Sequence, residues 1–507
     1  MSEIPPGTDG GTDGRRPVRT LRDHDGVVHE VRDLDPARAR VRRARRVAPT
    51  RYVADRLIVR SAPGGAADDV LVSAVRAAAV RRGLDVRVSE APVAGAREGA
   101  SRQGVAVHVA GDDVDVWELL DEVGEGADQG DSVRLGLDHV LVGHKRTTGY
   151  GLAGTREPAT FVASPPRRSH AAGDLWTTAD GLVRPVVAIV DSGVGQHPWF
   201  DPSSPVVARG VLLDGAPIGT YDDREPDGDA APDSTDEGTI GEYSGHGTFI
   251  AGVVHQVCPD AVILPVRISG ASGESTEWDV ARSLERLLDF HLRGVAGDSS
   301  CAAVDVVVLP LGYYPEETES DDYDGVLRGA LRDLRAAGVL VVVSAGNDGS
   351  CRPVFPAAWA PSVRRVPGGP VVPERPADLV AGYTPLLTVT ASNPNGTLAD
   401  FANDGPWVTA VRAGAKSLST MPTTFDGPAT PRSRTPDGLR ESVDPDDFRG
   451  GFALWSGTSF AAPVLAGELA VALLEARASG HETSSRVTAA WDAVVAVGDL
   501  YGTVPGS

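Results

Sequence analysis

The sequence predicts an α/β protein, with a buried parallel sheet flanked by helices and a small α+β unit ahead of it. Three features carry that expectation. Five apolar runs, VVAIV (186–190), AVILPVRI (261–268), VDVVVLPL (304–311), GVLVVVSA (338–345) and LLTVTA (386–391), have the uninterrupted character of strands covered on both faces. Helical patterns over His246–Gln256, Thr276–Arg293, Tyr323–Ala337 and Ser459–Ala478 accompany them, as crossover connections require. The third feature is a shorter alternation that begins at Arg51.

In that first unit Tyr52–Arg60 reads as a strand and Asp68–Arg82 as an amphipathic helix. Leu84–Ser89 and Gly104–Ala110 are two more strands, Val114–Val123 a second helix, and Gly136–Val142 a last strand. The order βαββαβ is a split βαβ, ferredoxin-like, with two helices on one face of a small sheet. Residues 1–50, rich in arginine, read as a basic flexible arm, ahead of the alternative that this basic segment docks on acidic surface of the same chain. Residues 145–180, with Pro, Gly, Ser and Arg and no periodicity, read as a linker and a cleavage region. The sheet-forming domain then runs over 181–507. Within it, 420–449 looks like an insertion without an assignable role.

Composition narrows the class. With 41% hydrophobic residues among 507 the chain can build a sizeable core, and a net charge of −22 argues against nucleic acid or anionic membrane as partner. Three cysteines, Cys258, Cys301 and Cys351, lack metal-ligand spacing and do not suggest a disulfide framework. The N-terminal sequence has no apolar signal-peptide core, and no window approaches ~18 uninterrupted apolar residues. A soluble, cytoplasmic protein is expected.

Three segments hold candidate chemistry. VVAIVDSGV puts Asp191 at the carboxyl end of a buried strand, the edge of an open α/β sheet where ligands collect. SGHGTFIAG puts His246 between two glycines at a helix entry, accessible and anchored as a general base must be. WSGTSFAAPVLAG puts Ser459 at a helix start, where backbone donors favour a developing anion. Each alone has a plainer explanation as a cap or turn residue.

Together the blocks IVDSGV, GHGTFIAG and SGTSFAAPVLAG, in the order Asp, His, Ser, resemble the signature of the subtilisin-like serine peptidases. The resemblance implies a subtilisin-like fold and a catalytic triad of Asp191, His246 and Ser459. It further implies an oxyanion-hole role for Asn347 in VVVSAGNDG. Leu311, Gly312 and Tyr313, with Ser344, Ala345 and Gly346, would be the two strips flanking a protein or peptide substrate. Tyr313 departs from the family's usual small residue, and Asp348 would lie near the pocket. Phe355-Pro356 is similar to a family segment with a cis proline.

The run LDHVLVGH (137–144) resembles the end of the subtilisin prodomain, so 51–144 is expected to act as folding aid and inhibitor, removed by cleavage between about 143 and 180; a retained, permanently attached regulatory domain is the alternative. No cofactor is implied beyond structural calcium, for which acidic loops at Asp222–Glu242 and Asp444–Asp447 offer oxygens; a solvated acidic loop is the favoured reading. Two rivals remain at this stage. One is a catalytically silent scaffold; the other is a protease serving one regulatory partner in the cytoplasm. A nucleotide-binding protein is disfavoured, since no glycine-rich phosphate loop follows a strand.

Overall fold

The computed structural model describes residues 19–36, 47–60, 69–89, 104–126, 134–143, 156–159, 164–200 (except 172), 206–223, 240–316 (except 242), 325–425 (except 367–368 and 376–378), 433–435, 438–440 and 448–502 (except 482). Six strands form an all-parallel sheet in the order Val262–Arg267, Val186–Asp191, Val306–Leu309, Leu340–Ser344, Leu386–Ser392, Ala410–Ala413. The five apolar runs supply the first five. Alternation along each strand divides their side chains between two cores. Val187, Ile189, Val306, Val308, Leu340 and Val342 meet Phe249, Phe460, Leu465 and Trp491, which come from helices His246–Val257, Thr458–Ala478 and Arg486–Val497. Ala188, Val190, Val307, Val341 and Val343 meet Leu284, Leu287, Leu327 and Leu331 on helices Glu277–Val295 and Val326–Ala336. Thr458–Ala478 is long and apolar enough to cross a membrane, yet it is mostly buried in the fold as a core helix.

The N-terminal unit contains β1 (Arg19–Arg22), β2 (Val28–Asp33), β3 (Arg51–Arg60), α1 (Asp69–Arg81), β4 (Asp85–Ser89), β5 (Gly104–Ala110), α2 (Val116–Gly126) and β6 (Leu135–Gly143). Strand β3 organises it, pairing antiparallel with β5 through Arg56–Arg60 and with β6 through Leu57↔Leu137 and Val59↔Leu135. Leu71, Val75, Leu119 and Leu120 of the two helices close its own core with Leu57, Val107 and Leu137.

Residues 19–33 differ from the arm expected over 1–50. They fold as a hairpin, Arg19↔Val31 to Arg22↔Val28, that extends the sheet through Val31↔Val53 and Asp33↔Arg51. The arginines obscured a short alternation: Leu21 and Val31 turn inward to Val53 and Val140. Part of the expected linker is also fixed. Glu157–Pro158 pairs with Ala453 and Leu454, and the buried Arg156 donates to the carbonyls of Ser244 and Gly241 at 2.8 Å each. Of the 420–449 stretch, Ser433–Thr435 and Gly438–Arg440 pair as a hairpin.

The N-terminal unit is seated by charge as well as apolar contact. Ile58 and Ala106 pack on Trp278, Ala281 and Val326. Beside them Arg56, 1% exposed, donates to Asp138 (2.6 Å), Asp23 (3.0 Å) and Thr276 (3.0 Å). Asp138 also accepts the Trp278 amide at 3.1 Å, in the first turn of the helix Glu277–Val295. Removing one partner of such a buried set costs about 3–5 kcal/mol, because the remaining charges are left uncompensated.

Candidate active site

Asp191 ends its strand on the carboxyl edge of the sheet, and His246 opens the helix across from it. Gly245 precedes the helix with φ 85°, left-handed backbone that favours glycine, and a Cβ there would meet Met421 Cε at 2.4 Å. The two side chains bond directly. His246 Nδ1 lies 2.9 Å from Asp191 Oδ2 and 3.0 Å from Oδ1. Ser192 steadies the carboxylate, donating to Oδ1 from its amide (2.8 Å) and its hydroxyl (3.1 Å), while its own Oγ accepts the Gly247 amide. Three aromatic rings surround the imidazole: Trp455 and Tyr243, centroids 5.5 Å away, and Phe460 at 5.2 Å. All of these groups are buried, so the hydrogen bonds among them meet little competition from water.

Ser459 is the second residue of its helix and 2% exposed. Its hydroxyl donates to the Pro310 carbonyl at 3.3 Å and is not turned to His246. Asn347, just past its strand, has Oδ1 occupied by the amide and hydroxyl of Thr458, both at 2.8 Å. That fixes the amide's orientation and leaves Nδ2 toward Gly457, where a Cβ would lie 3.3 Å from it. Gly346 is held by Thr458 Oγ1 at 3.1 Å. Asp191, His246, Ser459 and Asn347 thus gather in one place, from segments up to 268 residues apart by their numbering.

The expected substrate strips divide. Leu311 and Gly312 pair antiparallel with β6, Leu311↔Gly143 and Gly312↔Val142. On the other side of β6, Glu274–Thr276 pairs with Val142, Leu141 and Val140. The end of the N-terminal unit is therefore the middle strand of three. Ser344, Ala345 and Gly346 are buried beside Asn347, and Ala345 N bonds Val389 O at 2.9 Å. Tyr313 turns aside: its backbone pairs with Phe355 and its ring stacks on His139 at 4.7 Å. Asp348 is exposed but engaged, accepting the Tyr314 hydroxyl at 2.7 Å. The Phe355–Pro356 peptide is cis.

His139 sits between carboxylates of the larger domain, Nδ1 3.0 Å from Glu277 and Nε2 2.7 Å from Glu316. Burial pushes its pKa down, but Glu316 and Glu277 outweigh it and lift the value to about 10. Among the described residues no group of three or more His, Cys, Asp or Glu is placed to hold a metal; 224–239 and 441–447, most of the acidic loops expected to offer calcium ligands, lie outside them. His144 and the cleavage region up to residue 155 do too.

The family model described as the subtilase family matches residues 184–493. The chain belongs to the subtilase family. This subtilase is 24% identical over 313 residues to the thermophilic serine proteinase of Bacillus sp. (strain AK1), covering 60% of the chain and 55% of that relative. It is 24% identical over 250 residues to the major intracellular serine protease of Bacillus subtilis (strain 168), covering 47% of the chain and 58% of the relative. The subtilase thus spans little more than half the length of these relatives. Among solved structures, a lanthipeptide protease aligns over 61% of the chain and 78% of its own, with 20% identity and a TM-score of 0.39.

Ser192, Thr458, Tyr243 and the Glu277–His139–Glu316 set were missed in the sequence. Ser192 and Thr458 lie inside the motif blocks and could have been flagged as supports for their neighbours. Tyr243 and the two glutamates carry no local signal.

Proposed function

We propose that this subtilase is a serine endopeptidase that hydrolyses peptide bonds through an acyl-enzyme. The observation that carries the reading is the bonding of both Asp191 oxygens to His246 Nδ1. A carboxylate there keeps the proton on Nδ1, so Nε2 is the basic nitrogen of the ring. In the reaction the Ser459 hydroxyl turns from Pro310 to His246, gives up its proton to Nε2 and attacks the carbonyl. Asn347 Nδ2 and the Ser459 amide take the negative oxygen. His246 protonates the departing amine, then takes a proton from water as that water opens the ester.

The N-terminal unit would regulate this site. Its β6 pairs with Leu311–Gly312, the strip on which a substrate would lie. We therefore assign an inhibitory role to residues 51–144 together with the 19–33 hairpin, relieved by cleavage in the segment after Gly143. Three free thiols, Cys351 among them exposed, suit a cytoplasmic setting.

Intact mass of the wild type beside Ser459→Ala, with fluorophosphonate labelling of both, tests the proposal. A labelled, shortened wild type and an unlabelled, full-length variant are expected. Equal casein cleavage by the two would remove Ser459 from the reaction.

A further inference from the structure

We infer that Tyr243 makes this subtilase require glycine at the position immediately before the residue whose carbonyl is attacked. The inference rests on the peptidase reading above and adds a specificity to it. The register supplies the positions. Gly143 lies opposite Leu311 and Val142 opposite Gly312, so the next residue of any chain bound along this path falls opposite Pro310. The Pro310 carbonyl is the group that accepts the Ser459 hydroxyl. A bound chain therefore presents to Ser459 the carbonyl of the residue that follows the Gly143 position.

Side chains alternate across a strand, so the 141 and 143 positions face the same side. Leu141 is fully buried, 0% exposed, within the core that also holds Val266, Ile268 and Leu311. At 143 there is no room. A Cβ would lie 2.5 Å from Tyr243 Cε1, 2.9 Å from Cδ1 and 3.3 Å from Cζ. Real Cβ atoms do not approach so closely, so either the ring or the bound chain must move.

The ring is not free to move. At Gly273, whose φ of 67° itself favours glycine, a Cβ would meet Tyr243 Cγ at 2.4 Å, so the root of the ring is wedged against that backbone. Its edge meets the His246 ring at 5.5 Å and 66°. The Tyr243 amide bonds the Ala271 carbonyl, and the Tyr243 carbonyl accepts the His246 amide, both at 3.0 Å. Pushing Tyr243 aside would disturb the start of the helix that carries the imidazole. Ala and larger residues at this position are thus excluded by the wall that also borders the reacting histidine.

The test uses the full chain and quenched peptides Val-Leu-Val-X-His-Lys, copied from residues 140–145, with X as Gly, Ala or Leu, alongside fluorophosphonate labelling. The wild type should cut the Gly peptide with kcat/KM about 10-fold or more above Ala and about 100-fold or more above Leu. Tyr243→Ala should bring Ala to within a few-fold of Gly, and Tyr243→Phe, which keeps the ring, should retain the discrimination. Equal cleavage of Gly and Ala peptides by the wild type overturns the inference and leaves the peptidase reading intact. A chain that labels but cuts none of the three also overturns it. A chain that neither labels nor cuts refutes the peptidase reading itself.

Discussion

Raising the pH should loosen the N-terminal unit from the larger domain through one side chain, His139. Each ring nitrogen faces a buried carboxylate, Glu277 at 3.0 Å and Glu316 at 2.7 Å, so both nitrogens donate only in the imidazolium form. With a folded pKa of about 10 against 6.5 for the free side chain, the stabilisation is fully present below pH 6.5 and disappears as pH rises through 10. Linkage puts it at about 4 kcal/mol at pH 7 and about 1 kcal/mol at pH 9. His29, between Asp23 and Asp55, is likewise raised, to about 9, and adds loss in the same direction. The assay is urea unfolding of the full chain in a Ser459→Ala background, with and without His139→Gln, at pH 7 and pH 9. His29 is common to both proteins and cancels in their difference. The stability gap between parent and variant should shrink by about 2–3 kcal/mol over that interval. A gap independent of pH would mean that His139 is not charged in the folded chain, and the linkage argument would fail.

Two further outcomes follow from the site. Asn347→Ala should lower kcat about 10²–10³-fold with little change in KM, a magnitude for which subtilisin's own oxyanion donor is the reference case; steady-state kinetics on a Gly-containing peptide decide it. Gly247→Ala would place a Cβ 2.1 Å from the Gly193 carbonyl oxygen, which as backbone cannot step aside. About 1–3 kcal/mol of stability should be lost, with a drop in kcat as the Asp191 and His246 segments are forced apart, read by thermal unfolding and peptide kinetics together.

How a feature is encoded decides whether it could be read early. Asp191, His246, Asn347 and Ser459 each sit at the end of a strand or the start of a helix, within blocks whose apolar runs and glycines are contiguous, so local pattern was enough to single them out as candidates. The 19–33 hairpin was hidden by its arginines, because a charged stretch reads as solvated unless its few inward residues, Leu21 and Val31, are given something to pack on. The final helix Arg486–Val497 had no motif to draw attention to it.

The amino-acid sequence by itself determined that five buried apolar strands alternate with helices, and which four side chains would be worth bringing together. Those follow from period, glycine placement and helix-start chemistry, which act over a few residues. Only the tertiary structure decided that β6 lies along Leu311–Gly312, that His139 is clasped by glutamates 138 and 177 positions away, that the Ser459 hydroxyl rests on Pro310, and that Tyr243 fills the space beside Gly143. These are contacts between distant segments, fixed by shape and charge once the two units meet, and no short stretch of the chain records them.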